Sequence, residues 1–220
     1  MCGLFELTSD PERLRRAFRI DGEMAPLAPR PLVRPGEPVA IVRTEADGRR
    51  HLRLALWRFI PHWMKEPPKG RQIINARAET LLEKPAFRGP VRHRRCILPA
   101  DAFYEWTGEP GRKVAWRYAR KDGAPMALAG LWDHWMSPDG GELETAVIIT
   151  VDANADVAPV HDRMPALLDG PALDAWLDLA TPAREAVALL APAPDGLLVA
   201  EKAGNPFRRL PQQDDPPRLL

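Results

Sequence analysis

The sequence predicts an α+β fold in a single domain spanning residues 1–220. Short apolar or alternating segments bounded by Gly and Pro recur along the chain as strand signals. Helical periodicity is confined to one segment near the start and two near the end, the arrangement of an α+β domain. No linker-like stretch divides the 220 residues, a length that suits one domain with a sizeable core.

The elements follow in order. Residues 11–19 form a short helix, with Leu14, Ala17 and Phe18 on one face. The proline-rich stretch 24–38 reads as an extended loop or polyproline II segment. Residues 39–42 form a strand, and 52–59, alternating apolar and basic residues, form a second. Pro61 and the Pro67-Pro68 pair impose a loop to about Gly70. Residues 73–74 make a short strand leading into Asn75, and 76–82 read as a helix. Residues 96–98 and 103–106 are strands separated by a turn at Pro99, and further strands cover 114–118, 126–132, 145–151 and 164–168. Helices follow at 172–179 and 183–190, then a strand at 197–201. The polar tail 203–220 is expected to be loosely held.

Composition narrows the function classes. Hydrophobic residues make up 45% and charged residues 28%, ordinary for a soluble globular protein. No apolar run approaches the roughly 20 residues of a membrane span, so no membrane partner is expected. The first twenty residues mix Asp10, Glu12, Arg13, Arg15 and Arg16 with apolar positions, so no secretory segment is expected and the chain should be cytoplasmic. Neither Cys2 nor Cys96 has zinc-type neighbours, so no disulfide, metal or cofactor is expected. The net charge of +1 hides a basic segment: residues 49–95 hold 13 Lys/Arg against 3 Asp/Glu, and the remainder 18 against 27. A solvated face would explain that charge. The interleaved Trp57, Phe59, Trp63 and Phe87 point instead to a local groove for single-stranded nucleic acid.

Four places carry chemistry. Removal of Met1 would leave Cys2 as the N-terminal residue. Its α-amine, ordinary pKa about 7.7–8.0, and its thiol, about 8.5, would then sit on adjacent carbons. Such an aminothiol takes an aldehyde first as an imine, then closes the thiol onto it as a thiazolidine. Asn75 fits either a helix N-cap or a positioning amide, and Arg77 a bidentate phosphate contact. On the strand at 103–106, Glu105 shares a face with Phe103, and Tyr104 with Trp106. An acid among aromatics is either the partner of a buried cation or a tuned proton carrier. Cys96 lies in an apolar run and reads as an inert core residue. His161 precedes an apolar segment with Asp162 and Arg163 beside it, and reads as a structural or a proton-transferring imidazole. His51, His62, His93 and His134 read as surface or core polar groups.

In combination these segments resemble the SOS-response-associated peptidase family. The matching stretches are Met1-Cys2-Gly3, Ile60-Pro61-His62-Trp63, the run from Asn75 to Thr80, the run from Pro99 to Trp106, and the run from His161 to Pro165, in that order. The resemblance implies a barrel-like, mostly antiparallel sheet with flanking helices. It implies recognition of abasic sites in single-stranded DNA and covalent attachment through Cys2 by a monomer associated with the nucleoid. It assigns Cys2, Asn75, Glu105 and His161 to catalysis, and Trp63, Arg77, Thr150 and Arg163 to the DNA path. The peptidase label would rest on removal of Met1. The chain departs from the family pattern at Leu4, where arginine is usual, at Leu32 in place of asparagine, at Arg58 and at Ala102. Two other readings predict different behaviour. A cysteine peptidase acting in trans through Cys2 and His161 would tolerate an extra residue before Cys2, and a non-catalytic DNA-binding module would bind without forming a covalent band.

Overall fold

The computed structural model of the chain describes residues 2–67, 70, 72–109, 112–204 and 206–209. Its strands are β1 (Phe5–Leu7), β2 (Arg30–Val33), β3 (Pro38–Thr44), β4 (Arg50–Trp57), β5 (Asn75–Arg77), β6 (Arg95–Ala100) and β7 (Ala102–Thr107). They continue with β8 (Val114–Arg120), β9 (Met126–Met136), β10 (Glu142–Asp152), β11 (Arg163–Pro165), β12 (Leu167–Leu168) and β13 (Leu198–Gly204). The helices are α1 (Pro11–Phe18), α2 (Pro85–Arg88), α3 (Pro90–His93), α4 (Gly170–Leu177) and α5 (Ala183–Ala188). This is the α+β, mostly antiparallel architecture expected.

Strands β10, β4, β3, β6 and β9 pair in that order, and β9 pairs back onto β10, closing a barrel. Closure removes free edges from this circuit. Its strands are apolar because most of their residues are buried: six consecutive positions of β10, Ala146 to Val151, are inaccessible or nearly so. Gly130 on β9 permits the closest approach, since a Cβ there would lie 2.4 Å from Leu98 Cδ1 and 2.9 Å from the Val147 carbonyl oxygen.

A second sheet runs β13-β8-β7-β1-β2. It places β1 between β7 and β2, so the first strand of the chain is an interior strand. The rings of Phe5 and Trp57, 5.0 Å apart, join this sheet to the barrel core. Buried Arg95 secures the late helices. Its guanidinium donates to the carbonyls of Trp176 (2.7 Å), Asp178 (2.6 Å), Thr181 (3.1 Å) and Val91 (3.0 Å). The carbonyls at the C-terminal end of α4 and in the loop to α5 are thereby satisfied.

Several expectations are corrected. The stretch 24–38 is not simply a loop, because Leu32 and Val33 lie in β2 and Val33 pairs with Phe5. Residues 76–82 are not a helix. Asn75–Arg77 form β5, parallel to β10, and only Ala78–Thr80 make a 3-10 turn. The available β10 backbone outweighs local helix propensity here. Pro99 lies inside β6, and the turn falls at Asp101, whose carboxylate accepts the amides of Thr8 (2.6 Å) and Ser9 (2.7 Å). The tail is held further than expected, with Ala203 and Gly204 in β13 and Pro206–Arg209 in a 3-10 turn. Residues 210–220, also called loosely held, lie outside the described residues.

Candidate active site

The nucleophile candidate sits at the entrance to β1. The Leu4 carbonyl accepts the Tyr104 amide at 3.0 Å, and the Cys2 thiol donates to the same oxygen at 3.8 Å. Leu4 packs in a small apolar cluster with Leu32 and Tyr104. Two departures from the family pattern, Leu4 and Leu32, are therefore in one cluster on adjacent elements. Asn75 opens β5, opposite Ile148 of β10, and its Nδ2 donates to the Cys2 carbonyl at 2.8 Å. Asn75 thus lies in a strand and caps no helix. Its buried Oδ1 has no partner among the described residues.

Glu105 lies on β7, where alternation puts it on the same face as fully buried Phe103. It is only 2% exposed, and burial pushes its carboxyl up to about 7, with the positive charge of the amino terminus opposing that rise. The Cys2 thiol is fully buried. Burial and then the negative charge of Glu105 push it well above the ordinary thiol range, against the Leu4 hydrogen bond and the amino terminus. The effect of Glu105 on Cys2 makes thiol and carboxyl neighbours. The ordinary thiol value expected for Cys2 does not hold here, because desolvation disfavours the thiolate and the Cys2 sulfur stays protonated near neutrality.

His161 stands in the turn before β11. Its Nδ1 is 2.9 Å from the Arg163 amide nitrogen and 2.8 Å from Asp162 Oδ1. The amide can only donate, so in the neutral ring Nδ1 is the acceptor and the proton sits on Nε2. Asp162 is largely exposed and free to turn away, whereas the Arg163 amide is fixed in the backbone. Burial lowers the His161 pKa, and the amino terminus lowers it further, against Asp162. The ring is therefore mostly neutral at pH 7.

The four residues assigned to the DNA path divide into two pairs. Trp63, 57% exposed, and Arg77, also exposed, present surface to solvent. The Trp63 loop is tied to the barrel through fully buried Asp133 on β9. Its carboxylate accepts the His62 amide at 2.9 Å and lies 3.0 Å from both His62 Nδ1 and Arg94. Thr150 and Arg163, by contrast, are buried and offer no open path. The Thr150 hydroxyl bonds the Ala76 carbonyl at 3.4 Å, and Arg163 engages both oxygens of Glu79 (2.6 and 3.0 Å), Asp152 (2.5 Å) and the Thr150 carbonyl (2.7 Å). Their placement fixes β5, and so Asn75, against β10 and β11. The sequence reading missed Asp133 as an anchor and Tyr118, whose ring stacks on Phe103 at 5.1 Å. An acid inside an apolar strand was the available signal for Asp133. Nothing in the sequence signalled Tyr118.

The model of a family described as SOS response associated peptidase (SRAP) matches residues 1–205. The chain is 39% identical over 184 residues to the abasic site processing protein YoqW of Bacillus subtilis, covering 81% of this chain and 80% of that protein. It is 36% identical over 178 residues to the abasic site processing protein HMCES of Gallus gallus, covering 69% of this chain and 53% of that one. A crystal structure from Bordetella bronchiseptica superposes with a TM-score of 0.78 at 29% identity, over 91% of this chain and 99% of the other. One from Bacteroides thetaiotaomicron gives 0.80 at 25% identity, over 96% and 95%.

Proposed function

The chain belongs to the SOS response associated peptidase (SRAP) family, and on that premise we propose that it processes abasic sites in single-stranded DNA by capturing them covalently. Relatives named as abasic site processing proteins support the substrate class. The observation that carries the chemistry is the Asn75 hydrogen bond to the Cys2 carbonyl, on a residue whose thiol feels the charge of buried Glu105.

Removal of Met1 places the α-amine on Cys2 itself. An amine attacks a carbonyl only when neutral, and its ordinary pKa of about 7.7–8.0 leaves it largely protonated at pH 7. Glu105, near 7, takes that proton at a cost of about 1 kcal/mol. The abasic sugar opens to its aldehyde, with neutral His161 assisting proton transfer at the sugar oxygen. The amine adds to the aldehyde carbon, and Glu105 returns a proton to the departing hydroxyl, which leaves as water and gives the imine. That imine carries its proton on nitrogen, and the Cys2 sulfur then bonds to its carbon while the thiol proton passes to the Glu105 carboxylate. The product is a five-membered thiazolidine, and one water is released overall. A protonated, buried thiol suits this order, because sulfur acts second and as an intramolecular nucleophile. A peptidase acting in trans would need a thiolate at the outset, which burial of Cys2 disfavours. Trp63 stacks on an unpaired base and Arg77 contacts phosphate, with Thr150 and Arg163 supporting β5 from behind.

Incubating the purified protein with abasic single-stranded DNA and running a denaturing gel tests this. A denaturant-resistant band is expected from the parent chain and complete loss of it from Cys2→Ala. Salt-sensitive binding with no such band would leave only the DNA-binding reading.

A further inference from the structure

Tyr118 is fully buried on β8, yet its hydroxyl has no hydrogen-bond partner among the described residues. A buried hydroxyl without a partner is costly, and such groups in folded proteins call for an explanation. Its place in the sheet supplies one. Tyr118 is the cross-strand partner of Phe103, and Glu105 is the partner of Trp116. Glu105 and Tyr118 therefore occupy a diagonal pair on one face of the β7–β8 ladder, within reach of long side chains. The nearly parallel Phe103 and Tyr118 rings, inclined by 15°, fix the phenol on that face. The charge of Glu105, after burial, contributes to pushing the Tyr118 hydroxyl up to about 12, so the phenol keeps its proton throughout the working range.

We propose that Tyr118 is a positioning residue whose hydroxyl donates to the ionised Glu105 carboxylate, directly or through one bridging water, and so sets the proton affinity of that acid. This rests on the catalytic reading of Glu105 given above. The charged and titratable groups facing Glu105 are the amino terminus, the Cys2 thiol, Asp162 and Tyr118, and Asp156 also acts on Tyr118. In the mature protein thiazolidine formation converts the Cys2 amine to a weaker base.

Tyr118→Phe removes one oxygen and keeps the stacked ring, so folding is expected to be unchanged. The carboxyl carbon of Glu105 is followed by 13C NMR across pH 5–9 in the mature protein, its signal identified by its absence in Glu105→Gln. The expected result is a midpoint about one pH unit higher in Tyr118→Phe. Crosslinking is then expected to slow by about fivefold to tenfold at pH 6 and to match the parent at pH 8.5. An unmoved Glu105 midpoint overturns the proposal, as does a shift confined to Asp156. If the parent protein forms no crosslink, the catalytic reading fails, while the NMR midpoint still decides the Tyr118 contact.

Discussion

Glu45 and Glu105 are both partly or wholly withdrawn from water, and the protein treats them in opposite ways. Glu45 follows β3 directly. It accepts from Arg53 Nε, Arg53 Nη2 and Arg43 Nε, each at 2.9 Å, and these arginines hold its carboxyl down to about 2 despite some desolvation. Arg43 in turn bonds Glu144 at 2.9 Å and lies over the Trp132 ring. Glu105 is more deeply buried, faces no arginine among its perturbing groups, and sits near 7. Among the described residues the buried Asn75 Oδ1, the Tyr118 hydroxyl and Arg163 Nε have no hydrogen-bond partner, as is also true of Arg58 Nε and Gln72 Oε1 elsewhere. Paired charges make the scaffold. The proposed chemistry uses the acid that no arginine neutralises.

The largest effect that would sharpen this contrast is kinetic. Glu105→Gln is expected to slow crosslinking by about 100-fold, measured as band formation at saturating abasic DNA. Its thermal midpoint at pH 8 should not fall, because an amide avoids burying an ionised group. The pH dependence has a definite sign. A carboxyl raised in the folded state binds its proton more tightly folded than unfolded, so stability declines as pH rises from about 4.5 to about 7. Loss of that decline in Glu105→Gln, read from melting curves at several pH values, would support the contrast, and an unchanged slope would break it.

Trp63 gives the next largest effect. Its loop is anchored by paired, buried Asp133, yet its ring is open to solvent. Trp63→Ala is expected to weaken single-stranded DNA binding by about 1–3 kcal/mol in a titration, leaving the crosslinking rate at saturation unchanged. A slower saturated rate would place Trp63 in the chemistry instead of in recognition.

The smallest effect lies on the scaffold side. Glu45→Gln is expected to cost about 1 kcal/mol in denaturant unfolding, discounted for its partial exposure, with crosslinking unaffected. The depressed carboxyl contributes this stability fully above about 4.5 and loses it as pH falls through about 2. An equal loss of stability in Glu45→Gln and Glu105→Gln would erase the distinction between the two regions.

Much of this was legible in the sequence because alternation and turn residues are local. The strands at 39–42 and 103–106 and the helix at 11–19 emerge from period and punctuation alone. Strand β5 did not, because Asn75–Arg77 become a strand only when β10 lies alongside. The motif residues could be picked out, and the face of Glu105 followed from its parity with Phe103. The burial of Cys2 could not be read, since it depends on β1 being sandwiched between β2 and β7. The buried roles of Thr150 and Arg163 were hidden for the same reason. Tyr118 meets Phe103 only through the β7–β8 register, which leaves no trace in either segment alone.

Intact mass spectrometry of the crosslinked species, with and without borohydride, tests the chemistry at Cys2 most directly. The expected adduct weighs the chain without Met1 plus the abasic oligonucleotide, less one water. Borohydride should leave it unchanged, because a closed thiazolidine has no carbon–nitrogen double bond to reduce. An adduct that retains Met1, or one that gains two hydrogens as a bare imine would, contradicts capture by the paired amine and thiol.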